Sequence, residues 1–228
     1  ASATIGVTPA LAEAARARGA RRVFVVPNGA DTELFAPTAQ TSVDLPARFV
    51  SFIGTLARWQ GISTVIDALE RPAWPEDVSL VVVGDGVMAE TVQAQSAHDP
   101  RLVYLGRVAH RDVAGIIARG ICGLSPMVEP GRSLSGVVPL KLFEALACGV
   151  AVIATDLPGQ ADIVRRDEVG VVIQPGDPDA LAAAVAGLAA DPAATQAMGR
   201  RARTVAVDHY SWASRAAETN AIIEGVLR

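Results

Sequence analysis

The chain is 228 residues long, half of them hydrophobic and only 4% aromatic, which is enough for one large domain with a substantial core. Its net charge of −4 gives no field for nucleic acid, and no basic stripe with interleaved aromatics offsets that. Cys122 and Cys148 lie in apolar surroundings without metal-ligand spacing, so they read as reduced, buried residues of a cytoplasmic protein that has no zinc site.

In chain order, the first 36 residues hold a short apolar run at 3–7, a helix at 9–18, an apolar run at 23–26 and the turn Pro27-Asn28-Gly29. They look like the tail of another α/β unit, so residues 1–36 are expected to be the remnant of an upstream domain and the start of a linker. Pro37 to Pro46 continues as linker. Residues 37–228 form the main domain, including the C-terminal helix. Within it the pattern predicts strands at 49–53, 79–83, 102–105, 121–124, 150–154 and 170–173. Helices are predicted at 61–70, 87–96, 111–119, 139–148, 160–165, 179–190, 193–207 and 212–227. Short, nearly continuous apolar strands alternating with amphipathic helices are the mark of a parallel sheet covered on both faces. The expected class is α/β, a doubly wound, Rossmann-like parallel sheet. Its ligand should lie beyond the carboxyl ends of the strands, at Gly54, Gly84-Asp85-Gly86, Gly106-Arg107-Val108, Ser125 to Gly136 and Thr155-Asp156.

The apolar run Ala180 to Ala190 is too short to span a membrane and reads as a surface helix capped by Asp177 with Pro178 at its first position. No signal peptide is read at the start. The cluster Arg16, Arg18, Arg21, Arg22 is most simply solvated charge. His98, His110 and His209 read as structural or solvent-facing, and no acidic cluster has cation spacing.

Lys141 is the sole lysine among twenty basic residues. It stands at a predicted helix start, with Val138 as N-cap and Pro139 at the first helical position. Valine offers no side-chain acceptor, so the N–H groups of Leu140 and Lys141 are left open for an anion. At 100° per residue Leu142, Phe143 and Leu146 share one face and Lys141 and Glu144 the other, which turns the charged pair outward at the helix mouth. There the ammonium suits a phosphate and the carboxylate suits sugar hydroxyls. Spacing alone leaves open the plainer reading, an exposed i,i+3 ion pair. Gly84-Asp85-Gly86 is a tight turn after an apolar strand, but the dinucleotide fingerprint is not completed because position 89 is alanine.

Taken in order, VVPNGADTELFAP at 25–37, SFIGTLARWQGISTVIDAL at 51–69, LVVVGDG at 80–86, VYLGRV at 103–108, PLKLFEALACGVAVIATDLPG at 139–159, GVVIQPGDPDALAAAV at 170–185 and YSW at 210–212 resemble the donor-binding half of the retaining glycosyltransferases of family 4. The resemblance covers essentially the whole chain. It implies one half of a GT-B architecture, a UDP-sugar or GDP-sugar as donor substrate, no cofactor, no metal, and transfer to an acceptor hydroxyl. It also implies a missing N-terminal acceptor domain, through which a peripheral membrane contact is allowed. Carried over by position, Glu144 matches the glutamate on the donor's ribose, and Lys141 and Leu140 lie where the helix mouth meets the diphosphate. Arg107 and Val108 match the segment whose backbone pairs with the base, and Gly54 the glycine that approaches the phosphates, with Gly84 and Asp85 on the neighbouring loop. Three positions depart from the pattern. Gly136 stands where a sugar-contacting glutamate is usual, and Thr55 and Gln60 stand where an arginine and a lysine are usual. Arg58 or Arg132 are the candidates to replace the lost charge. These departures favour, as the alternative, a non-catalytic nucleotide or nucleotide-sugar binding module; a nicotinamide-dependent oxidoreductase ranks last for lack of the glycine fingerprint.

Overall fold

The computed structural model describes residues 2–128 and 138–227. Its first unit is β1 (Thr4–Gly6), α1 (Pro9–Ala17) and β2 (Val23–Val25), a βαβ turn whose two strands pair in parallel as a separate small sheet. Thr8 caps α1 by accepting from Leu11 N–H at 3.1 Å, with Pro9 at the first turn.

The main sheet comprises β3 (Phe49–Ile53), β4 (Ser79–Val83), β5 (Leu102–Tyr104), β6 (Cys122–Ser125), β7 (Ala151–Thr155) and β8 (Gly170–Ile173). All pairs are parallel and the spatial order is β5-β4-β3-β6-β7-β8. The chain therefore winds outward from β3 to β5, crosses back to β6 and winds outward the other way, placing the topological switch between β3 and β6. The connecting helices are α2 (Ile62–Leu69), α3 (Ala89–His98), α4 (His110–Arg119), α5 (Leu140–Ala147) and α6 (Gln160–Asp167); α7 (Pro178–Ala190), α8 (Pro192–His209) and α9 (Trp212–Leu227) follow.

Strand periodicity divides the core cleanly. Phe49, Ile53, Val81, Val83, Val152 and Ala154 face α4, α5, α6 and α8, while Val50, Phe52, Leu80, Val82, Ala151 and Ile153 face α2, α3 and α7. Because both faces of the inner strands β4, β3, β6 and β7 are covered, no exposed polar face alternates along them. The alanine-rich helix α7 carries the predicted cap, Asp177 accepting from Ala180 N–H at 2.8 Å. Among the described residues no helix is long and apolar enough to cross a membrane.

Several boundaries differ from the sequence expectation for local reasons. The predicted helix 61–70 is α2, one residue shorter at each end, because Gly61, with φ 78°, is the cap that separates it from a preceding 3₁₀ turn (Arg58–Gln60). A Cβ at Gly61 would lie 1.7 Å from the Pro126 carbonyl oxygen, so the glycine is what lets this turn close on the end of β6. Helix α3 starts two residues late because Met88 N–H is spent on Leu56 O (2.9 Å) and Ala89 N–H on Gly86 O (2.9 Å) in the preceding turn. The segment 37–46, expected as a linker, is a packed strap: Leu45 is buried and Thr41 Oγ1 donates to Asp112 on α4 at 3.0 Å.

The C-terminal helix returns to the first unit. Ala30 N–H donates to Tyr210 O (2.8 Å), Trp212 N–H to Ala30 O (3.0 Å), and Arg22 to Gly225 O (2.8 Å). Arg203 of α8 ties the same crossing region to the end of α5, donating to the carbonyls of Thr32, Phe35 and Ala147 at 2.7–3.0 Å.

Candidate functional site

Beyond the carboxyl ends of the strands the sheet's hydrogen bonding continues through loops. Gly54 N–H donates to Val83 O (2.9 Å), Gly84 N–H to Gly106 O (2.8 Å) and Leu56 N–H to Asp85 O (2.9 Å). These loops can stack only because Gly54, Gly84 and Gly106 take φ of 129°, 136° and 62°. A Cβ on Gly84 would stand 1.8 Å from Gly54 O. Tyr104, at the end of β5, fixes the middle loop by donating its hydroxyl to Gly84 O at 3.0 Å. The result is a row of bare backbone beside the switch point, with Thr55, Arg58, Asp85 and Arg107 exposed on its loops and Val108 half-buried against the core.

Helix α5 opens into this row. Its N-cap is Pro139, with φ −63° and ψ 144°, not Val138 as the sequence suggested. Proline's φ is helical at either position, but its extended ψ puts it outside the helix. The consequence is unchanged: no side chain caps the start. Leu142 N–H turns back to Pro139 O (3.1 Å), leaving Leu140 and Lys141 as the leading donors. Leu140 is 46% exposed at the mouth.

The predicted outward-facing pair is overturned at Lys141. Although part of the residue reaches solvent, its ammonium is buried, without a hydrogen-bond partner, and stands 4.0 Å from the centroid of the Phe52 ring. It passes directly beneath Gly54, where a Cβ would meet Lys141 Cε at 3.3 Å and Nζ at 3.4 Å. Helical periodicity placed the Cα correctly, but a four-carbon stem can turn its head away from the side its Cα faces. Burial pulls the ammonium down from its ordinary 10.5 to about 7, against the opposing attraction of Glu144. Burial likewise pushes the Glu144 carboxyl up, while His110 and Lys141 hold it down. Gly54, Lys141 and Glu144 are thus brought into one electrostatic neighbourhood.

His110, read as structural or solvent-facing, does face solvent, but its place near Glu144 was not foreseen. It is exposed at the start of α4, packs edge-on against Phe35 with centroids 5.5 Å apart, and lies within electrostatic reach of Glu144. Nothing local in the sequence signals it, because the two residues meet only through the crossover from β5 to β6. Gln60, which takes the place of a usual lysine, is buried and its amide oxygen has no partner. Gly136 and Arg132 lie outside the described residues. Burial raises both thiols, Cys148 to about 12, consistent with inert core cysteines. Among the described residues no group of three or more His, Cys, Asp or Glu is placed to hold a metal ion.

Comparison with known proteins gives the following. Residues 47–191 match the family described as Glycosyl transferases group 1. The GDP-mannose-dependent alpha-(1-6)-phosphatidylinositol monomannoside mannosyltransferase of Mycolicibacterium smegmatis is 29% identical over 215 residues, 88% of this chain and 56% of the relative. The alpha-maltose-1-phosphate synthase of the same species is 29% identical over 223 residues, 87% of this chain and 55% of the relative. The chain thus spans about half the length of these curated relatives. Among solved structures, the sucrose-phosphate synthase from Thermosynechococcus elongatus superposes with a TM-score of 0.82 at 25% identity, covering 99% of this chain and 58% of that one. The Anabaena protein Alr3699/HepE in complex with UDP superposes at 0.78 with 21% identity, covering 99% and 64%, a likeness of fold.

Proposed function

Because the chain belongs to the group 1 glycosyl transferases, with the parallel Rossmann-like sheet of the GT-B half-architecture, we propose that it is the nucleotide-sugar-binding half of a retaining, metal-independent transferase of family 4. The donor is a UDP- or GDP-sugar, and the whole enzyme moves its sugar to an acceptor hydroxyl. The observation that carries the reading is the uncapped start of α5 opening beside Gly54 at the switch point, with the only lysine of the chain at the same place. The GDP-mannose-dependent mannosyltransferase and alpha-maltose-1-phosphate synthase relatives and the UDP-bound Anabaena neighbour support it.

The roles follow from the chemistry. As the sugar leaves, negative charge grows on the diphosphate, and it must be met by charge already in place. Leu140 and Lys141 N–H at the helix start and the Lys141 ammonium supply it, and the bare backbone of Gly54 and Gly84 lets the phosphates come close. Glu144 accepts from the ribose hydroxyls. The Gly106-Arg107-Val108 turn offers backbone groups to the base, and exposed Arg58 compensates for the charge lost at Thr55 and Gln60. Residues 1–36 are the remnant of the acceptor-binding half. The acceptor and any membrane contact belong to that half, and the enzyme works in the cytoplasm.

A second reading, a nucleotide-sugar binding module without catalysis, is favoured by one feature: Gln60, at a position usually charged, is buried. Joining the chain to an upstream acceptor half and following the anomeric signal of the product by NMR separates the two. Transfer with retained configuration supports the transferase; inverted product refutes the retaining assignment. Donor binding without any transfer leaves the module.

A further inference from the structure

Gln160, the first residue of α6, is 1% exposed and sits at the junction of β6 and β7 with every polar atom engaged. Its Oε1 accepts from Ser125 Oγ at 2.8 Å. Its Nε2 donates to Thr155 O (2.9 Å), Thr155 Oγ1 (2.8 Å) and, more weakly, Ser125 O (3.3 Å). Thr155 Oγ1 passes its own hydrogen to Met127 O at 2.7 Å. The donors and acceptors run in one consistent direction, from amide to hydroxyl to carbonyl. Side chains thereby continue the β6–β7 pairing past the last strand residues. On its other side the same stretch is held by Val128 N–H donating to Trp59 O (3.1 Å) and by the close approach of Gly61 to Pro126 O. Pro126–Val128 is therefore gripped from both neighbours.

A leucine would fill the same buried space, so packing does not explain an amide. A buried carboxamide is tolerated only when its partners are met, and here the partners are the groups that fix a loop. The sheet order says which part of a ligand that loop would serve. In the donor reading, on which this inference rests, the base lies at the end of β5 and the phosphates at β3 and α5. The strand next in line is β6. We propose that Gln160 is a positioning residue for the sugar end of the donor, holding Pro126–Val128 as the wall of the crevice across from Gly54.

The test compares the chain with Gln160→Leu and Gln160→Glu. Amide hydrogen exchange is read over Met127–Val128 and Ser79–Val83, and calorimetry gives the affinities for UDP and UDP-glucose. Gln160→Leu should lose about tenfold protection at Met127 and Val128 with none lost in β4. It should also weaken UDP-glucose about fivefold relative to UDP, because only the sugar end meets the loosened wall. Gln160→Glu should behave like leucine at pH 8, where the carboxylate faces two carbonyls. It should recover as pH falls and the protonated acid again donates and accepts. Unchanged protection at Met127 and Val128, with only a lower melting temperature, would reduce Gln160 to packing. Changed protection with an unchanged UDP-glucose to UDP ratio would remove its role at the crevice. If the unaltered chain binds neither nucleotide, the donor reading itself fails, whatever the exchange shows.

Discussion

Nucleotide binding should take up a proton, and Lys141 should be the group that takes it. In the free chain burial holds the ammonium at about 7, while the Phe52 ring 4.0 Å away favours the charged form by about 1 kcal/mol, less than one pH unit. A diphosphate at the helix mouth requires the charged form. At pH 8.5 binding should therefore take up about 0.8 proton more in the parent chain than in Lys141→Arg, whose guanidinium stays charged throughout. At pH 6 the difference should vanish. Affinity for UDP should correspondingly weaken with each pH unit above 8, approaching about tenfold per unit, in the parent chain alone. Calorimetry in two buffers of different ionisation enthalpy measures the uptake directly. Identical uptake in both proteins at pH 8.5 would mean that Lys141 is not recharged by the ligand. The free chain gives the same argument a second readout. Lys141 is depressed on folding, so between pH 7 and 10.5 the unfolded state binds more protons. Its contribution to stability therefore rises with pH across that window, and Lys141→Met should flatten the rise in urea titrations.

Glu144→Ala should weaken a ribonucleoside diphosphate by about 1–3 kcal/mol and leave its 2′,3′-dideoxy analogue nearly unaffected, as measured by calorimetry; equal losses would point to folding instead. Gly61→Ala forces a Cβ to within 1.7 Å of Pro126 O at a φ of 78° and should cost about 3 kcal/mol in urea denaturation. A cost near zero would show that the turn and the β6 extension separate freely. On the proposed reading, in which residues 1–228 form one wall of the reaction cleft, the purified chain should give slow donor hydrolysis at most. Measurable sugar transfer in a donor and acceptor screen would overturn the assignment of residues 1–36 as a remnant.

The class of fold was legible because a covered parallel sheet writes itself as short apolar strands between amphipathic helices. The strands 49–53, 79–83 and 170–173 fall where they were expected. Caps were legible when side-chain chemistry made them, as at Asp177, and not when backbone ψ decided, as at Pro139. The site was legible as positions more than as orientations. Gly54 and Lys141 do meet, but helical phase carries no information about where a lysine head comes to rest, which here is over the Phe52 ring. His110 and Gln160 were invisible for a different reason. Each acts on a residue 34 or 35 positions away, and only the crossovers of the sheet bring those pairs together.

The central claim, that this half-architecture receives a nucleoside diphosphate sugar at the mouth of α5, is tested most directly by calorimetric titration of the chain with UDP, GDP and NAD, each beside its parent nucleoside. The account predicts that UDP or GDP binds more tightly than uridine or guanosine, that Lys141→Ala removes about 1.5–3 kcal/mol of the diphosphate's advantage, and that NAD does not bind. Equal affinity for diphosphate and nucleoside, or tight binding of NAD, would contradict it.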